Sequence, residues 1–441
     1  MVDLLEATGG SITGGSQVAE AVTSYHTDSR EVVPGGLFFA LRGAETDGHR
    51  FVVQAAERGA SAVVVERMVP NLAGVAQVVV RDGWQALYAL AAHVLESVGP
   101  IVVGVTGSNG KTSTKEMLAA VLATRIRVRK TLGNLNTETG VPLTILALEP
   151  DDGALVLEMA MQRAGEIRQL ATLARPRVGI VTTVGSVHME FFASREDLAR
   201  AKGELVQELP AEGLAVLNAD EPHFELLSSL SAAPVRGFGF AAGDLRGDGY
   251  EAVPEGGCRF RVQGVHVRLH LAGRHQARNA LAALAAGDFL GVPLRQGAAA
   301  LSQVVVGQRL EDLRTAAGFV VVDDAYNASP ESMLAAFETV AELPRTGLLL
   351  AVLGEMRELG TLAEEAHRRG GRKAAEVFDR VCVIDVGFGR LLAEAVGATL
   401  VADKQAAAGW VREQAGPGSL VLVKASHGLA LDELVRELVA A

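Results

Sequence analysis

Short apolar runs alternate with longer segments of helical period along almost the whole chain. "GLFFAL" (36–41), "ASAVVVE" (60–66) and "AQVVV" (76–80) are bounded by turn residues and read as strands, with helical patterns at 51–58 and 84–97. Together they predict a small α/β unit ending near residue 98, whose polar turns are "TDSR" (27–30) and "TDGH" (46–49).

From about 99 to 307 the same alternation continues with longer helices. Strands are expected at 101–105, 154–159, 177–182 and 214–218, and helices at 111–123, 194–209 and 274–290. Residues 257–271 alternate around "QG" and predict a hairpin. From about 308 to 441 a further series follows: strands at 319–323, 347–353, 380–385 and 419–424, and helices at 331–343, 361–377, 404–414 and 429–440. Strands alternating with helices favour parallel sheets covered on both faces. The expected fold is therefore α/β in three domains: a small N-terminal α/β domain (1–98), a central P-loop domain with a mainly parallel sheet (99–307) and a C-terminal doubly wound, Rossmann-like domain (308–441).

Composition narrows the partners. A length of 441 residues, 49% of them hydrophobic, supplies two to four ordinary cores at roughly 100–200 residues per domain. The net charge of −11 argues against a general nucleic-acid binder, which needs a basic surface, but leaves room for a local anion pocket. Two distant cysteines, Cys258 and Cys382, have no metal spacing and are expected as buried, reduced thiols. The N-terminus lacks a basic, apolar leader pattern and no apolar run is long enough to span a bilayer. A cytoplasmic protein without membrane insertion is expected.

The chemistry starts at "VTGSNGKTST" (105–114), between an expected strand and an expected helix. In such a turn, backbone N–H groups and the helix start face an anion. Gly107 and Gly110 allow close approach, Lys111 brings charge to a terminal phosphate, and Thr112 offers a hydroxyl to Mg2+; Asn109 and Ser113 belong to the same nucleotide-contacting turn. The usual first glycine of this pattern is displaced: Val105 occupies its place and Gly104 precedes it. Glu158 closes an expected strand, and His188 follows another in "VTTVGSVHME". With Thr112 they form an oxygen and nitrogen ligand set for one or two hard cations. Lys202, in "REDLARAKGELVQEL", reads alone as a solvated helix residue, and a protonated lysine cannot ligate a metal.

Further segments carry a resemblance. "GVTGSNGKTST", "LGNLNTETGVPLT" (132–144), "LEMAMQRAGEI" (157–167), "VTTVGSVHMEFFASREDLARAKGEL" (181–205), "GRHQARNALAALAAG" (273–287), "QRLE" (308–311), "VDDAYNASPESM" (322–333), "LGEMRELG" (353–360) and "VLVKASHG" (421–428) resemble the Mur ligases, ATP-dependent amide ligases of peptidoglycan precursor synthesis. The order of these pieces covers essentially the whole chain. "DDAYNASP" and "GEMRELG" are most similar to the branch that joins D-alanyl-D-alanine to a UDP-N-acetylmuramoyl-tripeptide.

The resemblance implies ATP with Mg2+, two ions being expected, and those two small-molecule partners, in a protein expected to be monomeric. It implies that Lys111 and Thr112 hold the triphosphate and a first Mg2+, that Glu158 and His188 ligate metal, and that Lys202 is a carbamylated lysine. A carbamate is anionic and oxygen-bearing, which removes the objection to lysine as a ligand. By the same resemblance, Asn279 contacts nucleotide, as do Arg309, Asp324, Tyr326 and Asn327 from the C-terminal block. Asn136 and Thr137 lie near the UDP-substrate, and Ser29 and Arg30 resemble part of the uridine site. Because the nucleotide residues fall in two blocks, a hinge near 307 that closes over ATP is expected. The sequence departs from the family pattern at Ala160, Thr183, Gln276 and His427. A related amide ligase, such as a folylpolyglutamate synthetase or another Mur ligase, and a non-enzymatic P-loop switch are the competing readings.

Overall fold

The computed structural model describes residues 2–13, 22–72, 74–253, 256–306 and 310–440. Arg309 and the expected hinge at 307 lie outside the described residues. The chain forms two compact units, one of Met1–Gly104, Ile126–Met161 and Glu166–Arg177, the other of Val105–Arg125, Gln162–Gly165 and Val178–Ala441.

In the first unit, five strands pair in the order Ser11–Thr13, Ala76–Val79, Ala62–Val65, Leu37–Phe39 and Tyr25–His26. Only the first pair is antiparallel. Ala62–Val65 is buried at every position, as its unbroken apolar run requires of a strand covered on both faces. The helix Gly83–Val98 starts where the Asp82 carboxylate accepts from Gln85 N, and ends at Gly99 in the left-handed region at φ 64°. It buries Ala86, Leu87, Leu90, Ala91 and Leu95, the face the periodicity marks. Strand Ala154–Glu158 is wholly buried and pairs in parallel with Val128–Lys130.

The second unit holds two further sets of strands. Val178–Val181, Leu214–Asn218, Val235–Gly239 and Leu245–Ala252 run parallel in that order, extended by the antiparallel hairpin Cys258–Val262 and Val265–Leu269. Gln263 and Gly264 both have positive φ, 46° and 77°, the two-residue turn whose twist suits a hairpin. The last sheet runs Glu311–Arg314, Val320–Asp323, Leu420–Lys424, Leu349–Leu353, Arg380–Ile384 and Thr399–Val401, parallel except for its first pair. Successive residues of Leu349–Leu353 serve opposite cores: Leu349, Ala351 and Leu353 pack with Met333 and Phe337, whereas Leu350 and Val352 pack with Val421 and Val435. This doubly covered sheet is the C-terminal architecture expected from the sequence. Its parallel strands place Asp323, Asp324 and Lys424 together at the carboxyl edge, the end where open α/β sheets present polar groups to ligands.

Cys258 and Cys382 are buried and free, and burial pushes each thiol up to about 12. Among the described residues no helix is long and apolar enough to cross a membrane.

Phe337 is fully buried and meets the Phe378 ring edge-on at 5.0 Å. Phe337→Ala is expected to cost about 3–5 kcal/mol, read as a lowered urea midpoint. A loss below about 1 kcal/mol would contradict this placement of the core.

Candidate active site

The glycines of the 105–114 turn are required by space as well as by dihedral angle. Gly107 has φ 146°, and a Cβ there would lie 2.0 Å from Thr182 Oγ1. At Gly110 φ is 85°, and a Cβ would lie 2.4 Å from Asn279 Oδ1. Hydrogen bonds fix the rest of the turn. Ser108 N donates to Thr183 O at 2.8 Å, Asn109 N to Thr183 Oγ1 at 3.1 Å, and Thr182 Oγ1 to Asn109 O at 2.5 Å. Gly110 caps the helix Lys111–Leu122, whose first turn carries no acidic residue. The result is a rigid cradle at the positive end of a twelve-residue helix. Lys111 Nζ bridges the cradle, donating to Gly107 O at 2.8 Å and Ser108 O at 3.4 Å.

Two departures from the family pattern have structural partners. Thr183 supplies both a carbonyl and a hydroxyl to the turn. Gln276 Oε1 accepts from Asn279 Nδ2 at 3.1 Å, orienting the amide that packs on Gly110.

Lys202 does not take the solvated position that its sequence context alone gives. The helix Arg195–Gln207 is buried on most sides from Leu198 to Val206, and Lys202 is only 2% exposed. Burial pushes its amine well below the ordinary lysine value, and the nearby Lys111 charge pushes it the same way. A neutral amine is thus favoured in the interior beside a cation. That is the form that reacts with CO2.

His188 stands at φ 66° ahead of the short turn Met189–Phe191, and its Nδ1 meets the Glu358 carboxylate. The contact holds the Glu358 carboxyl below its ordinary value, against the opposing effect of burial. With Nδ1 so engaged, Nε2 is the nitrogen left to accept or ligate. In the first unit, Glu158 is 3% exposed at the end of its strand. Its backbone N–H donates to Thr131 Oγ1 at 3.0 Å, and Asn136 Nδ2 donates to its Oε1 at 2.9 Å. The predicted carboxylate and the predicted amide therefore share one cluster. Thr137 is exposed, 3.4 Å from Thr139 by their hydroxyls. Elsewhere in that unit Ser29 is buried and donates to Gln54 Oε1 at 2.7 Å, while the exposed Arg30 closes on Asp28 at 2.6 Å.

The "DDAYNASP" segment lies against the phosphate turn within the second unit. Ser329 caps the helix Pro330–Glu342 and meets Asn109 Nδ2 at 3.2 Å. Glu331 accepts from Ser186 N at 3.2 Å and Ser186 Oγ at 2.8 Å. Asp324 pairs with Lys424 Nζ at 2.5 Å, and Lys424 also donates to Asn327 O at 2.9 Å. The Tyr326 ring packs on His427 with centroids 5.6 Å apart, which gives the substituted histidine a contact. Sequence reasoning passed over Lys424, Ser329, Glu331 and Glu358. Lys424 had a usable signal, since it ends a fully apolar strand where a polar residue is out of place.

Among the described residues no three His, Cys, Asp or Glu side chains converge on a metal position. The predicted set of Thr112, Glu158, His188 and Lys202 contains only two such residues, so it leans on a hydroxyl and a modified lysine. The glycine turn at a helix N-terminus, the Lys111 ammonium and the buried Lys202 amine fit a polyphosphate with its cation.

Three family models match the chain: "Mur ligase family, catalytic domain" over residues 21–135, "Mur ligase middle domain" over 105–287, and "Mur ligase, glutamate ligase domain" over 308–427. A UDP-N-acetylmuramoyl-tripeptide--D-alanyl-D-alanine ligase from Bacillus subtilis (strain 168) is 38% identical, covering 94% of this chain and 92% of that protein. A crystal structure of MurF from Acinetobacter baumannii has a TM-score of 0.90 at 29% identity, covering 100% of this chain and 98% of that one. MurF ligase from Thermotoga maritima, solved in complex with ADP, gives 0.83 at 30% identity, covering 95% and 97%.

Gly110→Ala forces a side chain into the Asn279 amide and strains the φ of 85°. It is expected to weaken nucleoside triphosphate binding at least about tenfold by calorimetric titration. Binding within about twofold of the unaltered chain would remove the cradle from the site.

Proposed function

The chain belongs to the Mur ligase family, and we propose on that premise that it joins D-alanyl-D-alanine to a UDP-N-acetylmuramoyl-tripeptide at the expense of ATP. The likeness to the B. subtilis ligase over 94% of the chain supports the choice of substrates. The observation that carries the chemistry is Lys202, an amine buried beside Lys111 and driven towards neutrality.

In this reading the tripeptide's terminal carboxylate attacks the γ-phosphorus of ATP, giving an acyl phosphate and ADP. The amine of the dipeptide then attacks the acyl carbon, and the tetrahedral adduct collapses to an amide and inorganic phosphate. Activation is needed because a free carboxylate is a poor electrophile. The N–H groups of the turn and the Lys111 ammonium face the transferred phosphoryl oxygens, where charge develops. Asn279, Asp324, Tyr326 and Asn327, with Arg309, would bind and orient the nucleotide. Asn136, Thr137, Ser29 and Arg30 would serve the UDP-substrate. Three functional domains, 1–98, 99–307 and 308–441, follow from this division of labour.

Thr112, Glu158, His188 and carbamylated Lys202 would hold Mg2+, which when bound neutralises phosphate charge. The carbamate forms when the neutral Nζ attacks CO2, an N–C bond replacing an N–H and the proton passing to solvent. Its negative charge then answers Lys111, which the unmodified amine could only repel.

An ADP-release assay tests the reaction. Release that requires both the UDP-tripeptide and D-alanyl-D-alanine is expected, whereas release with a glutamate acceptor in place of the dipeptide would favour a different amino-acid ligase. Lys202→Ala is expected to lose at least about 10²-fold in kcat and to be partly restored by acetate or formate filling the vacated oxygen position. Near-normal kcat in Lys202→Ala would overturn the assigned role.

A further inference from the structure

Just ahead of His188, three successive backbone donors are each held by a side chain. The N–H of Val184 bonds the Glu221 carboxylate, Gly185 N donates to Ser108 Oγ at 2.9 Å, and Ser186 N donates to Glu331 Oε2 at 3.2 Å. Glu331 reaches this loop from far along the chain, out of the first turn of the helix Pro330–Glu342. Ser186 is 1% exposed, and its hydroxyl donates to the same carboxylate, at 2.8 Å from Oε1. The approach is so close that a Cβ at Gly185 would lie 2.9 Å from Glu331 Oε2. Arg195, which opens the helix carrying Lys202, completes the group: its Nη2 donates to Ser186 Oγ at 2.6 Å and to Glu331 Oε1 at 3.4 Å. The Arg195 side chain is half in water, so its ion pair with Glu331 contributes little. The two bonds from buried Ser186 carry the contact, because without them its donors would be left unpaired.

His188 requires support of this kind. It stands at φ 66°, a left-handed conformation that a residue with a Cβ keeps only where its surroundings fix it. Glu358 fixes its ring, and Glu331 fixes the loop that leads to it. An acid in the first turn of a helix is also favoured by the helix dipole, but that effect asks for no bond to a buried serine.

The helix that delivers Glu331 is itself seated. Glu331, Thr339 and Glu342 fall on one side of it, and Met333, Phe337 and Val340 turn to the core on the other. Thr339 Oγ1 would lie 2.5 Å from a Cβ on Gly273, and Tyr250 Oη donates to Glu342 Oε2 at 3.1 Å. The helix is therefore held at both ends, and only the Glu331 end touches the His188 loop.

We propose that Glu331 is a positioning residue for phosphoryl transfer: it acts through Ser186 on His188 and through Arg195 on the start of the Lys202 helix. His188 and Lys202 then take their working positions only while Glu331 is seated on the loop. The inference rests on the ligase reading for the role of His188 and adds to it the residue that places it.

The test reads His188 and the reaction side by side. The chain labelled with 15N-histidine, free of metal and nucleotide, gives the ring signals of His188, identified by their loss in His188→Gln. On unlabelled protein, kcat and the KM values for ATP, UDP-tripeptide and D-alanyl-D-alanine are measured. Glu331→Ala is expected to shift or broaden the His188 signals and to lower kcat about 10–100-fold, with ATP KM within about twofold. Tyr250→Phe breaks the contact at the other end of the helix. It is expected to leave the His188 signals in place and kcat within about twofold. Unmoved His188 signals in Glu331→Ala, or a loss confined to KM, would overturn the assignment while the ligase reading stands. An equal effect of Tyr250→Phe would also overturn it, since Glu331 would then only help to dock the helix. Should Glu331→Ala fail to fold, Glu331→Gln, which keeps the length but loses one acceptor oxygen, is judged by the same outcomes. No turnover of the unaltered chain with the two peptide substrates would overturn both readings.

Discussion

One buried lysine, Lys202, under the influence of the Lys111 charge, sets the terms for the site. Lys202 is 2% exposed and feels both the loss of water and the positive charge of Lys111, so its protonated form is disfavoured twice. For a lysine whose amine is pushed down on folding, protonation works against the folded state. Between the depressed value and the ordinary one near 10.5, the unfolded chain holds a proton that the folded chain does not, so stability from this group falls as pH falls across that window. A chain that keeps such a residue bears a stability cost that plain packing would avoid. Conversion to a carbamate, as proposed, would turn that cost into an anion placed beside a cation.

The phosphate turn depends on a different constraint, space. Gly107 and Gly110 are hemmed by Thr182 and Asn279, and the turn is laced to Thr182 and Thr183 by hydrogen bonds. Those partners come from distant sequence but share the second unit, so the cradle is set before any ligand arrives. Such preorganised donors need no reordering as charge develops on the phosphate. The contacts of Ser329 and Glu331 bring the C-terminal segment to the same place.

Much of this was legible in the sequence, and the misses have physical reasons. Long buried strands such as Leu349–Leu353 and Ala154–Glu158, and helices with clear apolar faces such as Gly83–Val98, matched their patterns closely. The helices Gly140–Leu146 and Gly389–Val396 went unpredicted, being seven and eight residues long and opening on glycine. The two-residue strand Tyr25–His26 is too short to show alternation. At the site, the glycine turn and Lys111 were readable because they are contiguous. The burial of Lys202 was not legible in its own context, since burial on nearly every side of a helix with many charges leaves no periodic trace. Glu358 and Lys424 stayed hidden because their importance lies in partners far along the chain, His188 and Asp324.

The modification of Lys202 is the claim on which the account turns, and it can be observed directly. The folded chain would be equilibrated with 13C-bicarbonate near neutral pH and its carbon spectrum recorded, alongside Lys202→Ala. One carbamate resonance is expected in the unaltered chain, absent from Lys202→Ala and lost on acidification. A spectrum of the active, unaltered chain without that resonance, or one that persists in Lys202→Ala, would contradict it.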